Sequence, residues 1–266
     1  MTNSTRKETV QKYYSIRAKD YDRQKSRTWK SENGFGTEIL DEVLNAFTRF
    51  ENKLLLEVGV GSGRNAKPLL EKIRPYLIGL DLTREMLNNA RDKLLTYRQH
   101  SELILGDAEH LPFAAEAFDA ILCMSTMHYF EDQEKTLENY GRLLKEGGTF
   151  VYGDLSPHEA DNQEFFETLE RTISRAHRRY YKASETKRLL ETHGFHVSRM
   201  KTIAYKKSYD ALIEDKGKYF DISPEALRKY VHAASKEAKE QYVLTDTELT
   251  QFYTVITATR EKIEPA

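Results

Sequence analysis

An apolar run followed at once by a glycine-rich loop is the feature of this sequence that most constrains its fold. The run Leu54–Val58 has the length and composition of a buried strand, and glycines stand directly after it at positions 59, 61 and 63. Side chains would block a ligand at such a turn, whereas glycine lets the backbone approach closely. The helix expected next would point its amide groups at that ligand. The segment therefore predicts a buried parallel strand that ends at a ligand site.

Two acidic residues accompany the loop. Glu57 stands two positions before Gly59, and Asp81 closes the next apolar run, residues 76–80. Carboxylates at the ends of two neighbouring strands can accept hydrogen bonds from the hydroxyl and amino groups of a nucleoside, which predicts a nucleoside-binding site. The spacing argues against a dinucleotide site of the form G-x-G-x-x-G, because Arg64 occupies the position of the third glycine.

Strand and helix patterns alternate along residues 54–153. Strands that alternate with helices form parallel βαβ units, so the pattern predicts an α/β fold with a doubly wound, mostly parallel sheet. After Asp154 the helical spacing changes, and the last part of the chain mixes helices with two longer strands. The predicted strands are 54–58, 77–81, 102–105, 118–123, 149–153, 195–206 and 250–260, and the predicted helices in this part of the chain are 64–73, 84–97, 133–144, 162–179 and 183–193.

Composition excludes several classes of protein. The chain has 266 residues and a formal net charge of −1, so the whole molecule has no electrostatic bias toward nucleic acid or membranes. Its apolar runs are far shorter than the roughly twenty residues of a membrane span, and residues 1–12 lack the apolar stretch of a secretory signal. The single cysteine, Cys123, excludes an internal disulfide and a cysteine cluster for zinc. We expect a cytoplasmic protein with no metal site.

A basic segment, residues 171–188, departs from this overall balance. It carries seven lysine and arginine residues, with Tyr180 and Tyr181 among them. Such a segment can bind an anionic substrate or RNA, where cations meet phosphates and aromatic rings stack on bases. It can equally form a solvated helix face, because glutamates stand close by in the sequence. Both interpretations remain open at this stage.

Five segments, taken together, resemble the class I S-adenosylmethionine-dependent methyltransferases. Their order and spacing over roughly a hundred residues make the combination far more specific than any one of them. The resemblance covers about the first three-fifths of the chain and implies a Rossmann-like fold whose last strand is antiparallel. The segments are E-x-G-x-G-x-G at 57–63, GLDLTREML at 79–87, GDAEHLPF at 106–113, AFDAILCM at 117–124 and LLKEGGTFV at 143–151.

The resemblance implies a role for each of these motifs in holding S-adenosylmethionine. Asp81 would accept hydrogen bonds from the two ribose hydroxyls, and Asp107 would accept one from the adenine amino group. Glu57 would hold either the loop amides or the amino end of the methionine moiety. The other expected cofactor contacts are Tyr21, Gly59, Gly61, Gly63, Leu82, Met86, Ala108 and Met124. Met86 also has the spacing of an ordinary core residue.

Two helical parts are expected around the core. Similar family members begin with a tyrosine-rich helix that ends in a Tyr-Asp pair and covers the cofactor, and Tyr21 with Asp22 matches that pair. This predicts an N-terminal helical lid over residues 1–50. Residues 51–207 and 247–262 would form the methyltransferase core. The charged, helical segment 208–246 is longer than a hairpin requires, so we predict a cap inserted before the last strand, over the active-site mouth.

The residues that meet the methyl acceptor are less well marked. His128 follows the fourth strand, where related small-molecule methyltransferases often carry a histidine, and an imidazole that titrates near neutrality can deprotonate an acceptor. The alternative is that His128 only shapes the pocket. The remaining candidates for the substrate pocket are Tyr14, Trp29, Asp154 and Tyr181.

The sequence thus predicts methyl transfer from S-adenosylmethionine to a small molecule by in-line displacement, with orientation and exclusion of water as the main sources of rate. The Leu-Pro-Phe at 111–113 and the early Tyr-Asp pair resemble the quinone-biosynthesis and small-molecule methyltransferases. Three alternatives are kept. The chain can act on tRNA or protein, it can be a catalytically silent sensor or partner subunit that only binds the cofactor, or it can be a nicotinamide-dependent oxidoreductase.

Overall fold

A seven-stranded sheet forms the centre of the protein. The computed structural model describes residues 6–23, 35–217 and 223–261. The strands are β1 (Leu54–Val58), β2 (Tyr76–Asp81), β3 (Ser101–Leu105), β4 (Phe118–Met124), β5 (Leu144–Ser156), β6 (Phe195–Ser208) and β7 (Glu248–Arg260). Their order across the sheet is β3-β2-β1-β4-β5-β7-β6. The first five strands pair in parallel, whereas β7 is antiparallel to both β5 and β6.

Helices connect and cover these strands. The described α-helices are α1 (Arg6–Arg17), α2 (Phe35–Ala46), α3 (Ala66–Lys72), α4 (Arg84–Lys93), α5 (Gln133–Leu143), α6 (Phe165–Ile173), α7 (Ala183–Thr192), α8 (Tyr209–Leu212), α9 (Pro224–His232) and α10 (Lys236–Gln241). A 3-10 turn lies at Met127–Tyr129, and a π-helical turn at Ile213–Gly217 follows α8 directly. None of the helices in the described ranges combines the length and hydropathy that crossing a membrane requires.

Both faces of the sheet are buried because successive side chains of each strand point to opposite sides. Leu55 belongs to an apolar cluster that also contains residues of α2, α3 and α4. Its neighbours Leu56 and Val58 belong to a second cluster, with residues of α5 and α7. This double coverage explains why β1 reads as a continuous apolar run rather than an alternating one.

A third apolar cluster joins α6 to the segment that follows β6. Phe166 of α6, Leu227 and Val231 of α9, and Tyr242 are all buried in it. The ring of Tyr242 stacks on Phe166 with centroids 5.7 Å apart, and its hydroxyl donates to Asp161 at 2.7 Å. The segment after β6 is therefore packed onto α6.

The predicted sheet and its antiparallel last strand are confirmed, but the predicted helix over 162–179 is wrong at both ends. The carboxylate of Asp161 accepts hydrogen bonds from the amides of Phe165 and Phe166, both at 3.0 Å, so α6 starts there. After Ile173 the amide of Tyr180 donates to the Glu167 side chain at 2.8 Å, and the chain leaves the helix. Side chains thus satisfy the amides that a longer helix would have used internally. The division into lid, core and cap stays a prediction.

Candidate functional site

The carboxyl ends of β1, β2 and β4 open into a cavity that α1 borders. Its volume, including the open mouth, is about 900 Å³. The structure brings together here many residues that the sequence motifs had marked. Those lining the cavity are Tyr14, Tyr21, Gly59, Gly61, Asp81, Leu82, Met86, Asp107, Ala108 and Met124.

The glycine loop between β1 and α3 forms one wall of this cavity. Gly59 has φ +68°, a left-handed conformation that side chains other than glycine rarely adopt. A Cβ atom on Gly59 would lie 2.2 Å from Oγ1 of Thr126, so the loop and the turn after β4 are in close contact. Gly63 does not line the cavity, because it faces Leu94 and Ala90 instead. Gly63 thus packs against the α4 region, and its contact with a cofactor stays a prediction.

Asp81 fixes the loop and faces the cavity with the same carboxylate. Its Oδ2 accepts a hydrogen bond from the amide of Gly61 at 2.9 Å, and its Oδ1 accepts one from the amide of Thr83 at 2.8 Å. Burial raises the pKa of Asp81 to about 6, although the hydrogen bonds from these two amides lower it. Each carboxylate oxygen has a further lone pair, so Asp81 can still accept hydrogen bonds from a ligand.

Glu57 lies beneath the loop, and only one of its carboxylate oxygens is engaged. Oε1 accepts a hydrogen bond from the amide group of Asn65 at 3.2 Å. Oε2 is buried and has no hydrogen-bond partner within the described ranges. Burial raises the pKa of Glu57 to about 8, although Asn65 and Arg64 oppose the shift. An unsatisfied buried acceptor of this kind is suited to a donor or cation brought by a ligand.

Asp107 lies on the far side of the cavity and is paired with Lys7 of α1. The Nζ atom of Lys7 lies 2.6 Å from Oδ2 of Asp107 and 2.9 Å from Oε2 of Glu109. Burial pushes the pKa of Asp107 upward, but the hydrogen bonds from Lys7 and the amide of Glu109 outweigh it, so the pKa lies below its usual value. Asp107 is therefore an ionised acceptor at the edge of the cavity.

Polar contacts hold α1 against the cavity. The hydroxyls of Tyr14 and Tyr129 are hydrogen-bonded at 3.1 Å, and their rings meet edge to face with centroids 5.9 Å apart. Ser15 donates to Glu85 at 2.8 Å on the other flank of the helix. Asp22, which follows α1 in the chain, forms an ion pair with Lys93, whose Nζ atom lies 2.7 Å from Oδ2 of Asp22. These contacts, together with an apolar cluster that includes residues of α1, hold this helix against the core.

His128 and Asp154 form a buried pair next to the cavity. Nδ1 of His128 lies 3.0 and 2.9 Å from the two carboxylate oxygens of Asp154. Because a carboxylate only accepts, Nδ1 carries the proton and Nε2 is left as an acceptor. Burial lowers the pKa of His128, and the attraction of Asp154 does not fully offset this effect. Neither side chain lines the cavity, but the ring of His128 lies 3.9 Å from that of Tyr129, which does.

Tyr181 is not brought to this site, and Trp29 lies outside the described residues. Tyr181 lies in a separate surface groove, with the guanidinium of Arg179 4.6 Å from the centre of its ring. The same groove contains Arg171 and Arg178, but also acidic neighbours, and Arg171 lies 3.5 Å from Glu167. The basic segment is thus interleaved with carboxylates, as a solvated surface would be.

Several residues of the cavity were not identified from the sequence. Most of them lie in the loops that follow strands of the parallel sheet, and the rule that sites form at the carboxyl ends of such strands could have found them. Lys7 and Val10 carried no such signal, because their positions depend on how α1 packs. The additional lining residues are Lys7, Val10, Val60, Ser62, Arg64, Asn65, Leu80, Thr83, Glu109, Ser125, Thr126, Tyr129 and Phe130.

The chain is similar to methyltransferases in both sequence and fold. Residues 56–152 match the family model described as a methyltransferase domain. An uncharacterized methyltransferase of Bacillus subtilis, YcgJ, is 28% identical over 211 residues, which cover 76% of this chain and 80% of YcgJ. The fatty-acid O-methyltransferase of Mycolicibacterium smegmatis is 37% identical over 112 residues, but these cover only 40% of this chain and 39% of that enzyme.

A solved structure shares the fold over most of its length. The structure of a putative methyltransferase from Bacillus halodurans C-125 matches with a TM-score of 0.76 and covers 85% of this chain and all of the other chain. The two sequences are 21% identical, so this similarity is evidence for the fold alone. The match extends beyond residues 56–152 and therefore includes elements outside the family model.

Proposed function

The chain carries a methyltransferase domain of the class I fold, and we propose that it transfers a methyl group from S-adenosylmethionine to a small-molecule acceptor. One observation supports this proposal above the others. Glu57 and Asp81 lie at the ends of adjacent strands on either side of the glycine loop, and the Glu57 carboxylate keeps one buried oxygen without a partner in the described ranges. A ligand with an ammonium group and a ribose would satisfy both acids.

The cavity fits S-adenosylmethionine in the chemistry of its donors and acceptors. Asp81 would accept hydrogen bonds from the ribose hydroxyls, each worth on the order of 1.5–3 kcal/mol. Oε2 of Glu57 would take the ammonium group of the methionine moiety. Asp107 would face the adenine amino group, and the apolar side chains of Leu82 and Met86, both in the cavity wall, would contact the ring. The bound molecule would supply a methyl group on a sulfonium, which is already a good leaving group.

The protein contributes orientation and the exclusion of water. Positioning of two reactants can lower a barrier by up to roughly 7–11 kcal/mol. The hydrogen-bonded rings of Tyr14 and Tyr129 in the cavity wall would also attract a sulfonium by roughly 0.5–2 kcal/mol per ring. His128 would accept a proton at Nε2 from an acceptor that carries one, and Asp154 would hold the imidazole in the required tautomer.

The size and lining of the site favour a small acceptor. α1 borders the cavity through Lys7, Val10 and Tyr14, which supports a pocket for a small molecule over an open track for a polymer. The fatty-acid O-methyltransferase named above acts on a small lipid acceptor, in agreement with this choice. A tRNA acceptor would depend on the basic segment 171–188, and methyl transfer would then fall steeply as salt is added. A flat response to salt would remove that alternative.

The proposal is tested by incubating the protein with methyl-labelled S-adenosylmethionine and a cell extract separated into metabolite, lipid, RNA and protein fractions. We expect label in the metabolite or lipid fraction with the unaltered protein and none with Asp81→Ala. Label in the RNA or protein fraction would contradict the small-molecule acceptor. Binding of the cofactor without transfer to any fraction would indicate a silent sensor or partner subunit. Binding of NAD in place of S-adenosylmethionine would revive the oxidoreductase hypothesis, which the methyltransferase domain disfavours.

A further inference from the structure

The segment after β6 brings a lysine into the interior of the protein. Lys216 lies in the π-helical turn Ile213–Gly217, and its Nζ atom lies 2.5 Å from Oε2 of Glu170 in α6. The side chain of Glu170 is 0% exposed and that of Lys216 is 17% exposed. A buried ion pair often adds little stability compared with apolar side chains of the same size. The pair is therefore a candidate for an electrostatic role in its surroundings.

The helix α6 brings this pair close to His128. Glu167 lies one turn before Glu170 on α6, and its Oε2 atom lies 3.2 Å from Nε2 of His177. The ring centroids of His177 and His128 are 5.9 Å apart. Tyr180 contacts both rings, with centroid distances of 4.7 Å to His128 and 4.5 Å to His177. The imidazole of His128 thus shares one buried region with the charges that α6 carries.

The titratable side chains of this region come from four parts of the chain, namely the turn after β4, the strand β5, α6 with the residues that follow it, and the π-helical turn. The hydroxyls of Tyr129 and Tyr180 are neutral, because burial raises the pKa of both. Arg171 approaches Glu167 at 3.5 Å from a half-exposed position. We call six residues the buried polar cluster, namely His128, Asp154, Glu167, Glu170, His177 and Lys216.

The cations of the buried polar cluster oppose protonation of His128. Burial lowers the pKa of His128, Asp154 raises it, and Lys216 and protonated His177 lower it further. An imidazole changes its charge near neutral pH, whereas an ammonium does not. Lys216 is therefore the constant part of this effect.

Lys216 also controls the charge that Glu170 presents to His128. Burial pushes the pKa of Glu170 upward, but Lys216 and protonated His177 outweigh this effect, so the pKa lies below its usual value and Glu170 is ionised. A proton on His128 would lower the pKa of Glu170 as well, so by reciprocity the carboxylate of Glu170 favours a proton on His128. Lys216 neutralises that carboxylate. It thus opposes protonation of His128 in two ways, directly and through Glu170.

We propose that Lys216 is a positioning residue that keeps the imidazole of His128 neutral while the segment after β6 is packed on α6. Leu212 and Ile213, just before Lys216 in the chain, contribute to the apolar cluster that joins this segment to α6. Displacement of the segment would remove Lys216 and leave the carboxylate of Glu170 alone beside His128. His128 would then hold a proton more readily and could no longer accept one.

The test is a titration of His128 in the full chain, followed by its side-chain ¹⁵N resonances between about pH 4.5 and 8. Lys216→Met should raise the midpoint of this titration by about half a pH unit or more, because a cation is lost and Glu170 is left unpaired. Lys216→Arg keeps the charge and should leave the midpoint near that of the unaltered protein. Lys201→Met is the control and should not shift the midpoint, since Lys201 pairs at 3.3 Å with the mostly buried Glu42 of α2 instead.

Glu170→Gln separates an electrostatic role from general damage to the fold, because it preserves the size of the side chain. It leaves Lys216 without its counter-charge and should lower the midpoint, opposite to Lys216→Met. A purely structural role would move both variants in the same direction. A rise with Glu170→Gln, or no rise with Lys216→Met, would overturn the inference. A His128 that stays neutral over the whole pH range in both Lys216→Met and the unaltered protein would overturn it as well.

The pH dependence of kcat distinguishes this inference from the proposed function. The effect of Lys216 on His128 is measured without methyl transfer, and only its consequence for catalysis rests on the proposed function. The acid limb of kcat should move to higher pH in Lys216→Met together with the midpoint of His128, and an unmoved limb would overturn the consequence for catalysis. If the midpoint shifts as expected but the unaltered protein transfers no methyl group to any fraction of the extract, the inference stands and the proposed function fails.

Discussion

Nδ1 of His128 lies 2.9 Å from Oδ2 of Asp154, although the two residues are separated by α5 and most of β5. β4 and β5 are neighbours in the sheet, so residues after the end of one strand and near the end of the other come together. Both side chains are buried, and burial lowers the pKa of the imidazole. The pair therefore has a neutral imidazole with a defined tautomer at neutral pH, as a proton acceptor requires.

Replacing Asp154 by asparagine should impair turnover far more than cofactor binding. An amide can donate to Nδ1 and so favour the wrong tautomer, and the expected loss in kcat is about 10²–10⁴-fold. In the unaltered protein, kcat should stay constant as pH is lowered from the alkaline side until below pH 6.5, because the pKa of His128 lies below that value. Kinetics across pH with the labelled acceptor fraction would check this. Asp119→Asn, a partly buried carboxylate elsewhere, is the control.

Glu57→Gln should change how stability depends on pH. The folded-state pKa of about 8 exceeds the ordinary value of 4.5, so the folded protein retains a proton that the unfolded chain has already lost. Stability should therefore fall as pH rises from about 4.5 to 8, by on the order of 5 kcal/mol, and the variant should lack this decline. Urea unfolding over this pH range measures the slope of stability against pH for both the unaltered protein and the variant. Identical slopes for the two proteins would show that Glu57 is ionised when folded.

Asp81→Asn should weaken the binding of S-adenosylhomocysteine by at least about tenfold, because a charge-assisted acceptor becomes a neutral one. Burial raises the pKa of Asp81 to about 6. The affinity of the unaltered protein should therefore decrease as pH falls through about 6, and that of the variant should not. Calorimetric titration at several pH values measures both effects. Asp92→Asn, an exposed change on α4, should leave the affinity unaltered.

Lys7→Met should speed the exchange of the nucleoside more than it changes the equilibrium. Lys7 ties α1 to Asp107 and Glu109, so its loss should let α1 open more often, while Asp107 becomes free to accept from the ligand. We expect the association and dissociation rates of S-adenosylhomocysteine to rise together by several-fold. Stopped-flow binding would measure them. Unchanged rates, or the same effect from the exposed Lys12→Met, would contradict a specific role for Lys7.

Gly59→Ala should lower the stability of the folded protein more than Gly147→Ala does. Both glycines have φ +68°, so both variants carry similar backbone strain, on the order of 1–3 kcal/mol. A Cβ on Gly147 meets nothing within 4 Å, whereas one on Gly59 lies 2.2 Å from Oγ1 of Thr126. The difference between the two in urea unfolding therefore isolates the contact between the loop and Thr126. Equal destabilisation would mean that Thr126 simply moves aside.

The predictable part of the fold is the part that local sequence patterns determine. β1, the glycine loop and Asp81 follow from apolar runs and from the rule about the ends of parallel strands, and the sheet forms as expected. The helix over 162–179 was overestimated because Asp161 and Glu167 bind backbone amides at both of its ends. Helical periodicity does not register that kind of competition.

Pairs of residues far apart in the sequence could not be predicted, because local sequence patterns do not determine which of them meet. Lys7 meets Asp107 across a hundred positions, and Lys216 meets Glu170 across forty-six. Each residue alone resembles an ordinary surface charge, and only the packing of α1 and of the segment after β6 gives it its partner. His128 and Asp154 were each identified as candidates, but their contact followed only from the order of the strands.

The position of β7 has a consequence for how the protein folds during its synthesis. β7 lies between β5 and β6, and the backbone of Asp154 is held opposite Thr254 in the β5–β7 ladder. On the ribosome, β5 and β6 emerge first and keep their facing edges unpaired until the 13 residues of β7 arrive. The partner of His128 is therefore set in place by a strand that comes after both of its neighbours in the chain. Until β7 pairs with them, β5 and β6 each present an unpaired strand edge, which is a surface on which another chain can pair.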